Sequence, residues 1–484
     1  MTEIAADDDH RSWTDFVSGF LLAAWFGYLL VSPTVGFGWI ESWHNEQRAA
    51  QIALLSATPV AFAAMALDAR YRRRLPRIGW IVGTVFALGA LSAARAQYVD
   101  AAYVEVALHF LLLILIIVTA AAVARNPKPA TLLAQYGALL LLATYALGVA
   151  VRYVAAVSLW RPLDLDVVLL GYANPRFPSA LHAVLIPFAA SLAANRERGK
   201  AIRAATFVVL AAIWAINLAL ATRAIWFAYL VALPLLWVLL GRRAIGRTAS
   251  IVIASAGAGV LLYAIVFRWL PEWIGFGQSF QARSLDQLAS GSNRMLLIRS
   301  SLEAIRAAPW IGIGPMQFAA IPGVWAAHPH NWLLELASEW GLPAAVLTVY
   351  GTALLFRRGG RLASGVRGED AILLPFVVAC VVALVYGLVD GNLVMPVTQV
   401  ATALSFGGVV AILAPVPDEP ASRPHTRKLA AFAIALLGLA CALHLGRFAA
   451  RTVGPMTAAE QTVTPSRPFW PRFWGDGFLP FRSR

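Results

Sequence analysis

Long apolar runs separated by short polar turns dominate the chain. Runs of roughly 18–22 residues are long enough to cross a hydrocarbon core. Thirteen are read near 13–32, 49–67, 78–95, 102–124, 130–150, 178–194, 203–221, 224–240, 248–268, 332–355, 371–389, 394–414 and 428–446. The pattern predicts an all-α, polytopic integral membrane protein of about 12–13 transmembrane helices. A short N-terminal segment (1–12) precedes the multi-span domain (13–446), and a tail rich in Pro, Arg and aromatics (447–484) follows it. The tail is expected to lie irregularly at the membrane interface or to be disordered. No 20–50-residue repeat is visible.

Two connections exceed the tight turns elsewhere, 151–177 and 269–331. Long loops with structure of their own are usually functional. The longer one contains "NRMLLIRSSLEAIRAAPW", in which Met295, Ile298, Leu302 and Ile305 recur at i, i+3, i+7 and i+10. This spacing predicts an amphipathic helix whose apolar stripe packs on the protein body. "PWIGIGP" then ends it.

Composition agrees with the pattern: 60% of residues are hydrophobic and 13% charged, against about 45–50% apolar in soluble domains. A net charge of +14 would point to nucleic acid in a soluble protein. Here it comes mostly from arginines in short loops, so no nucleic-acid partner is expected. One set of alternate loops, including "RYRRRLPR" and "RRGGRLASGVR", holds 21 Lys/Arg and the opposite set 11. The first set also holds all three lysines, Lys128, Lys200 and Lys428. It is therefore expected on the cytoplasmic side, with the N-terminus. The loops 151–177 and 269–331 then face a periplasm-like space. The start, "MTEIAADDDHR", lacks the basic region of a signal peptide. Cys380 and Cys441 lie inside apolar runs and suggest neither a disulfide framework nor a metal site.

Cations on the outer face run against this charge rule, so the arginines there are candidates for function. They are Arg152, Arg161, Arg176, Arg223, Arg268, Arg283, Arg294, Arg299 and Arg306. Snorkelling accounts for many such side chains. Arg223 stands out, because "ATRAIW" is an entire turn between two spans and offers no loop to escape into; ionisable groups so placed usually serve function. At 100° per residue, Arg294 falls about 40° from Ile298 and about 20° from Ile305, on the side expected to pack inward. Arg299 falls on the other side, within reach of Glu303 at i+4. Arg176 in "YANPRFPSALH" precedes a span, with Asn174 and His182 nearby. Guanidinium forks suit phosphate oxygens and neutralise them without a metal. No Asp/Glu/His cluster has metal-ligand spacing in the sequence, so a metal-independent diphosphate site, with no cofactor, is the simplest inference.

The remaining candidates lie in "AHPHNWLLELASEWGLPA". A neutral imidazole is a natural general base near pH 7. Pro329 between His328 and His330 predicts an extended entry with the two rings pointing apart. Asn331 is placed to cap the following helix. Glu335 and Glu339, at i+4 and i+8 from it, form a polar stripe that must face other helices or water.

These residues resemble the shared C-terminal motif of the bacterial O-antigen ligase and polymerase superfamily. The family pattern is a His, then Asn, Ser or Gln, nine residues, and a Gly-containing turn. His330, Asn331, residues 332–340 and Gly341 fit it, although "GLPA" stands where a second glycine is usual. Arg223 in "TRAIW", Arg294 in "GSNRMLLI" and Asp390 in "YGLVDGN" look similar to further family residues. The resemblance ties the family histidine to His330. It implies glycan transfer in the periplasm, in a bacterial inner membrane. The donor would be a glycan on undecaprenyl diphosphate and the acceptor, in the ligase branch, a sugar hydroxyl of lipid A–core. His330 would act as general base with inversion. Arg223, Arg294 and Arg176 would hold the diphosphate, supported by His328, Asn331, Glu335, Glu339 and Asp390. An O-antigen polymerase or a protein O-oligosaccharyltransferase differs only in acceptor. A secondary transporter is the more distant alternative; it should show repeats and broken helices near the midplane.

Overall fold

The computed structural model describes residues 17, 19–36, 38, 40, 42–67, 78–172, 174, 176–276, 292–365, 373–413, 424–461, 472–475, 477 and 479. Among them there are helices and no strand. Among the described residues each of the thirteen apolar runs contributes an apolar helix: eight are long enough to cross a membrane, and five are shorter. In chain order the helices are α1 (Gly19–Val31), α2 (Trp43–Leu67), α3 (Gly79–Ala94), α4 (Val99–Arg125), α5 (Pro127–Ser158), α6 (Leu165–Val168), α7 (Arg176–Ala194), α8 (Lys200–Ala219), α9 (Arg223–Leu240) and α10 (Arg242–Tyr263). A π-helical stretch, Ala264–Trp269, carries α10 on to a last turn, α11 (Leu270–Trp273). Then come α12 (Ser292–Ala307), α13 (Trp332–Glu339), α14 (Leu342–Gly365), α15 (Leu374–Tyr386), α16 (Pro396–Leu413) and α17 (Pro424–Gln461).

Two packed groups set the architecture. α4 lies among α2, α16 and α17, and α7 among α5, α8, α10 and α15. α7 is buried along nearly its whole length. Its run of Ala and Ser side chains permits this, because helices in lipid associate through close packing of small residues rather than a hydrophobic drive. The opposite case is α9 and α17, which leave Leu230, Val238, Leu429 and Phe432 uncovered by protein, as lipid-facing helices do.

Three elements depart from the sequence expectations. The tenth run, 332–355, is not one span. It breaks at Gly341, which has φ +92°, so α13 is a separate short helix. The break is held by the "PWIGIGP" segment, which presses its backbone onto the end of α13. Ile313 and Gly314 donate to the Ser338 and Glu339 carbonyls at 2.9 and 3.0 Å, and Leu342 donates to the Pro309 carbonyl at 2.9 Å. A Cβ on Gly341 would lie 2.5 Å from the Trp310 carbonyl oxygen, so only glycine fits.

The amphipathic helix α12 exists, but its faces are reversed. Met295 (52% exposed) and Leu302 (41%) point away from the protein, while Leu297, Ser300, Ser301 and Ala304 are buried. A helix beside a bilayer has two apolar places for its stripe, protein or lipid. Here the small Ser and Ala side chains take the protein side, against α13. Arg294 lies about 60° from Leu297 and within electrostatic reach of Asp390, but it is exposed, as is Arg299 on the far side.

Finally, the stretch beyond residue 447 does not lie apart from the body: α17 continues to Gln461, and Arg472, Phe473 and Trp474 are buried.

Candidate active site at the α7, α13 and α15 ends

The first residues of α7, the segment leading into α13 and the end of α15 with the segment after it meet in a cleft of about 380 Å³, its open mouth included. Asn174, Arg176, His328, His330, Tyr386 and Asp390 line it, among others. Each is fixed by local backbone chemistry. Asn174 Oδ1 accepts the amide of Arg176 at 3.0 Å, a side-chain cap that starts α7. Asn331 Oδ1 accepts the amides of Leu333 and Leu334 at 3.0 and 3.1 Å and so caps α13. The start of α13 docks on the end of α15, where carbonyls have no intrahelical partner. Asn331 Nδ2 donates to Leu388 (3.0 Å), the Trp332 indole to Leu384 (3.1 Å) and the Trp332 amide to Gly387 (3.0 Å). His330 and Asp390 are thereby brought together from 60 residues apart in sequence.

His330 Nδ1 lies 3.2 Å from Asp390 Oδ1, and Arg176 Nε lies 3.8 Å from Asp390 Oδ2. The carboxylate accepts from His330, so Nδ1 carries the proton and Nε2 holds the lone pair. His330 Nε2 is buried with no hydrogen-bond partner. Trp325 lies over the same ring, 5.6 Å between centroids. Burial pulls the His330 pKa below its ordinary value; the bond to Asp390 and its charge oppose the fall without reversing it. Burial alone would push the Asp390 carboxyl up, but the His330 bond and the Arg176 charge outweigh it and hold it at about 2. At neutral pH the pair is therefore a carboxylate and a neutral imidazole.

The two histidine rings do not point apart. They meet edge to face, 4.2 Å between centroids, because His330 takes φ +56° and turns the chain back on itself. The left-handed region is uncommon for a side-chain-bearing residue and is often met at functional sites. His328 Nδ1 accepts the His330 amide at 3.2 Å, so His328 supports this turn. Its ring fills the space a side chain at 391 would need: a Cβ on Gly391 would lie 2.0 Å from His328 Cε1. Gly391→Ala is expected to push His328 off the His330 amide and to destabilise the protein by about 1–3 kcal/mol, as overpacking does. An unchanged Tm would refute it.

Arg294 and Arg223 do not line the cleft but stand within electrostatic reach. Partial desolvation lowers the pKa of Arg294, Asp390 opposes this, and the charges of Arg176 and Arg223 add to the lowering. Arg176 and Arg223 are the first residues of α7 and α9, where the helix dipoles add positive potential.

Residues 207–349 match the family model described as O-antigen ligase. The O-antigen ligase match covers Arg223, Arg294, His328, His330, Asn331, Glu335 and Glu339, and leaves Arg176 and Asp390 outside it. The match spans under a third of the chain, and eight of the helices are long and apolar enough to cross a membrane. No curated protein matches the chain.

Glu335 and Glu339, also inside the matched segment, do not line the cleft. They converge with Glu105 of α4, their carboxylate oxygens within 4.8 Å of one another. No sequence spacing announces this cluster, since Glu105 is more than 200 residues away. The cluster holds a guanidinium: Arg472 Nη2 lies 2.7, 2.9 and 2.6 Å from Glu105, Glu335 and Glu339. Sequence reasoning also missed Trp325 and Arg48. A buried arginine near the start of α2 was the only legible signal, and "SWHNEQR" reads equally well as a solvated loop.

Proposed function

We propose that the chain is an O-antigen ligase, transferring a glycan from undecaprenyl diphosphate to a sugar hydroxyl of lipid A–core on the periplasmic face of a bacterial inner membrane. The observation that carries this reading is the unpartnered, buried Nε2 of a neutral His330 oriented by Asp390, with Arg176 in the same cleft and Arg294 in electrostatic reach. An acceptor hydroxyl placed at Nε2 loses its proton to it as the oxygen attacks the anomeric carbon, and the configuration inverts. The C–O bond to the diphosphate breaks, and the electron pair leaves with the phosphate oxygen. Arg176, Arg223 and Arg294 meet that developing charge, which is where preorganised cations act on the barrier. The diphosphate is already an activated leaving group, so the scheme needs no nucleotide and no metal.

The test is the lipopolysaccharide profile of a null strain. Loss of the ladder with accumulation of lipid-linked polymer is expected. Core bearing a single repeat would instead mean polymerase, and an unchanged profile with an under-glycosylated protein would mean the protein-modifying branch. The orientation is tested separately, by Ser290→Cys in a background lacking Cys380 and Cys441. An impermeant thiol reagent should label it in intact spheroplasts, and protection would refute a periplasmic site.

A further inference from the structure

The stretch around Arg472 reaches both segments that carry the cleft's reactive groups. On one side is α13, capped beside His330. Arg472 Nη2 contacts Glu335 and Glu339 on that helix, at 2.9 and 2.6 Å. Glu339 in turn accepts the amides of Met316 and Phe318 at 3.0 and 2.9 Å, which fixes a turn with Met316 at φ +65°. Phe318 packs with the segment that presents Trp325 to His330. On the other side is the segment from Asp390 to Met395. Arg48 Nη2 donates to the Val394 carbonyl at 2.6 Å and to the Arg472 carbonyl at 3.2 Å, while Arg48 Nε donates to the Phe473 carbonyl at 3.0 Å.

The stretch is itself anchored. Gly475 donates to Asn45 Oδ1 at 2.7 Å, the Trp474 indole to Thr452 at 2.9 Å, and Leu479 to the Ala319 carbonyl at 3.1 Å. Arg472 is 2% exposed. Burial raises the pKa of Glu335 and Glu339, Arg472 pulls it back down, and the neighbouring carboxyls push it up again, so buried charge here is costly without the cation. One guanidinium answers all three carboxylates.

We infer that the stretch Arg472–Gly475 is an internal strap and that Arg472 is a positioning residue for His330 and Asp390, tying the two segments together. This rests on the reading of His330 as the base. Arg472 and Arg48 make no described bond to Arg176 or Arg294, so loss of the strap is expected to fall less on donor binding than on the geometry at the reacting atoms. Small misplacements there are costly, with an ångström able to lose about 10²-fold in rate.

The test uses the full-length protein, reconstituted with lipid-linked donor and acceptor. Arg472→Ala should lower kcat per folded molecule by about 10–100-fold with donor KM nearly unchanged. Millimolar guanidinium should restore part of the loss by refilling the carboxylate cage. Arg472→Lys should fall between, since it keeps the charge and loses the fork. A merely structural contact would lower the yield of folded protein and leave kcat per folded molecule alone, and that result overturns the strap. Should Arg472→Ala fail to accumulate, the double variant Arg472→Ala with Glu105→Gln removes one uncompensated charge and is read the same way. His330→Ala separates the two readings. If it is inactive while Arg472→Ala turns over normally, only the strap fails; if His330→Ala is fully active, the base assignment beneath it fails.

Discussion

His330→Ala is expected to slow glycan transfer by about 10²–10⁴, the usual worth of a general base, while leaving donor binding intact. The arginines that would hold the diphosphate do not depend on the ring. His328→Ala should cost less, since His328 acts through the His330 amide. A dead His328→Ala beside an active His330→Ala would reassign the base. The pH profile gives a second reading of the same group. His330 works as a base only when neutral, and its pKa is lowered by burial. The rate should therefore hold steady on the neutral side and fall only below the ordinary histidine value of about 6.5. Asp390→Asn removes the charge that raises the His330 pKa and leaves at most a neutral, weaker acceptor, so the acid limb should move to lower pH as the plateau drops. An acid limb that moves upward would contradict the arrangement.

The second large effect is expected at the arginines. Arg223→Ala and Arg294→Ala should each lower transfer by about 10²-fold or more, as loss of one donor to a developing oxyanion does. Arg299→Ala should be mild, because it lies about 140° around α12 from Arg294 and on the side opposite the buried Leu297. Equal losses at 294 and 299 would sink the face assignment. Arg223→Lys should rescue only partly, a point charge replacing a fork. Transfer by purified components should persist in EDTA, because guanidinium groups supply the charge a metal would; loss restored by Mg²⁺ would overturn this.

Hydrophobic periodicity was enough for the helices, because in lipid every backbone group must be satisfied within the segment and length alone marks a span. It was not enough for α12, where the same stripe satisfies two different apolar surroundings. Nor did it show the break at Gly341, since a glycine in an apolar run reads as tolerated until another backbone is found pressing on it. The motif placed His330 and Asn331, and the cap on α13 follows from residue type alone. The pairing of His330 with Asp390 depends on α13 docking onto α15, a tertiary event with no local signature. The Arg472 cluster is hidden for the same reason: its four charges come from three distant parts of the chain, and in sequence each looks like a solvated ion.

The order in which the chain is made acquires a meaning here. His330 and Asp390 leave the ribosome long before Arg472, and α17 must insert before Arg472 can reach Glu105, Glu335 and Glu339. Until then Glu105, Glu335 and Glu339 lack the guanidinium that bridges them. If the strap acts as inferred, catalytic competence follows the insertion of α17 rather than the synthesis of the reactive residues. A nascent chain stalled before α17 would carry His330 and Asp390 and still turn over no faster than Arg472→Ala, which limits how much of the proposed lipid-linked donor a half-inserted molecule could consume.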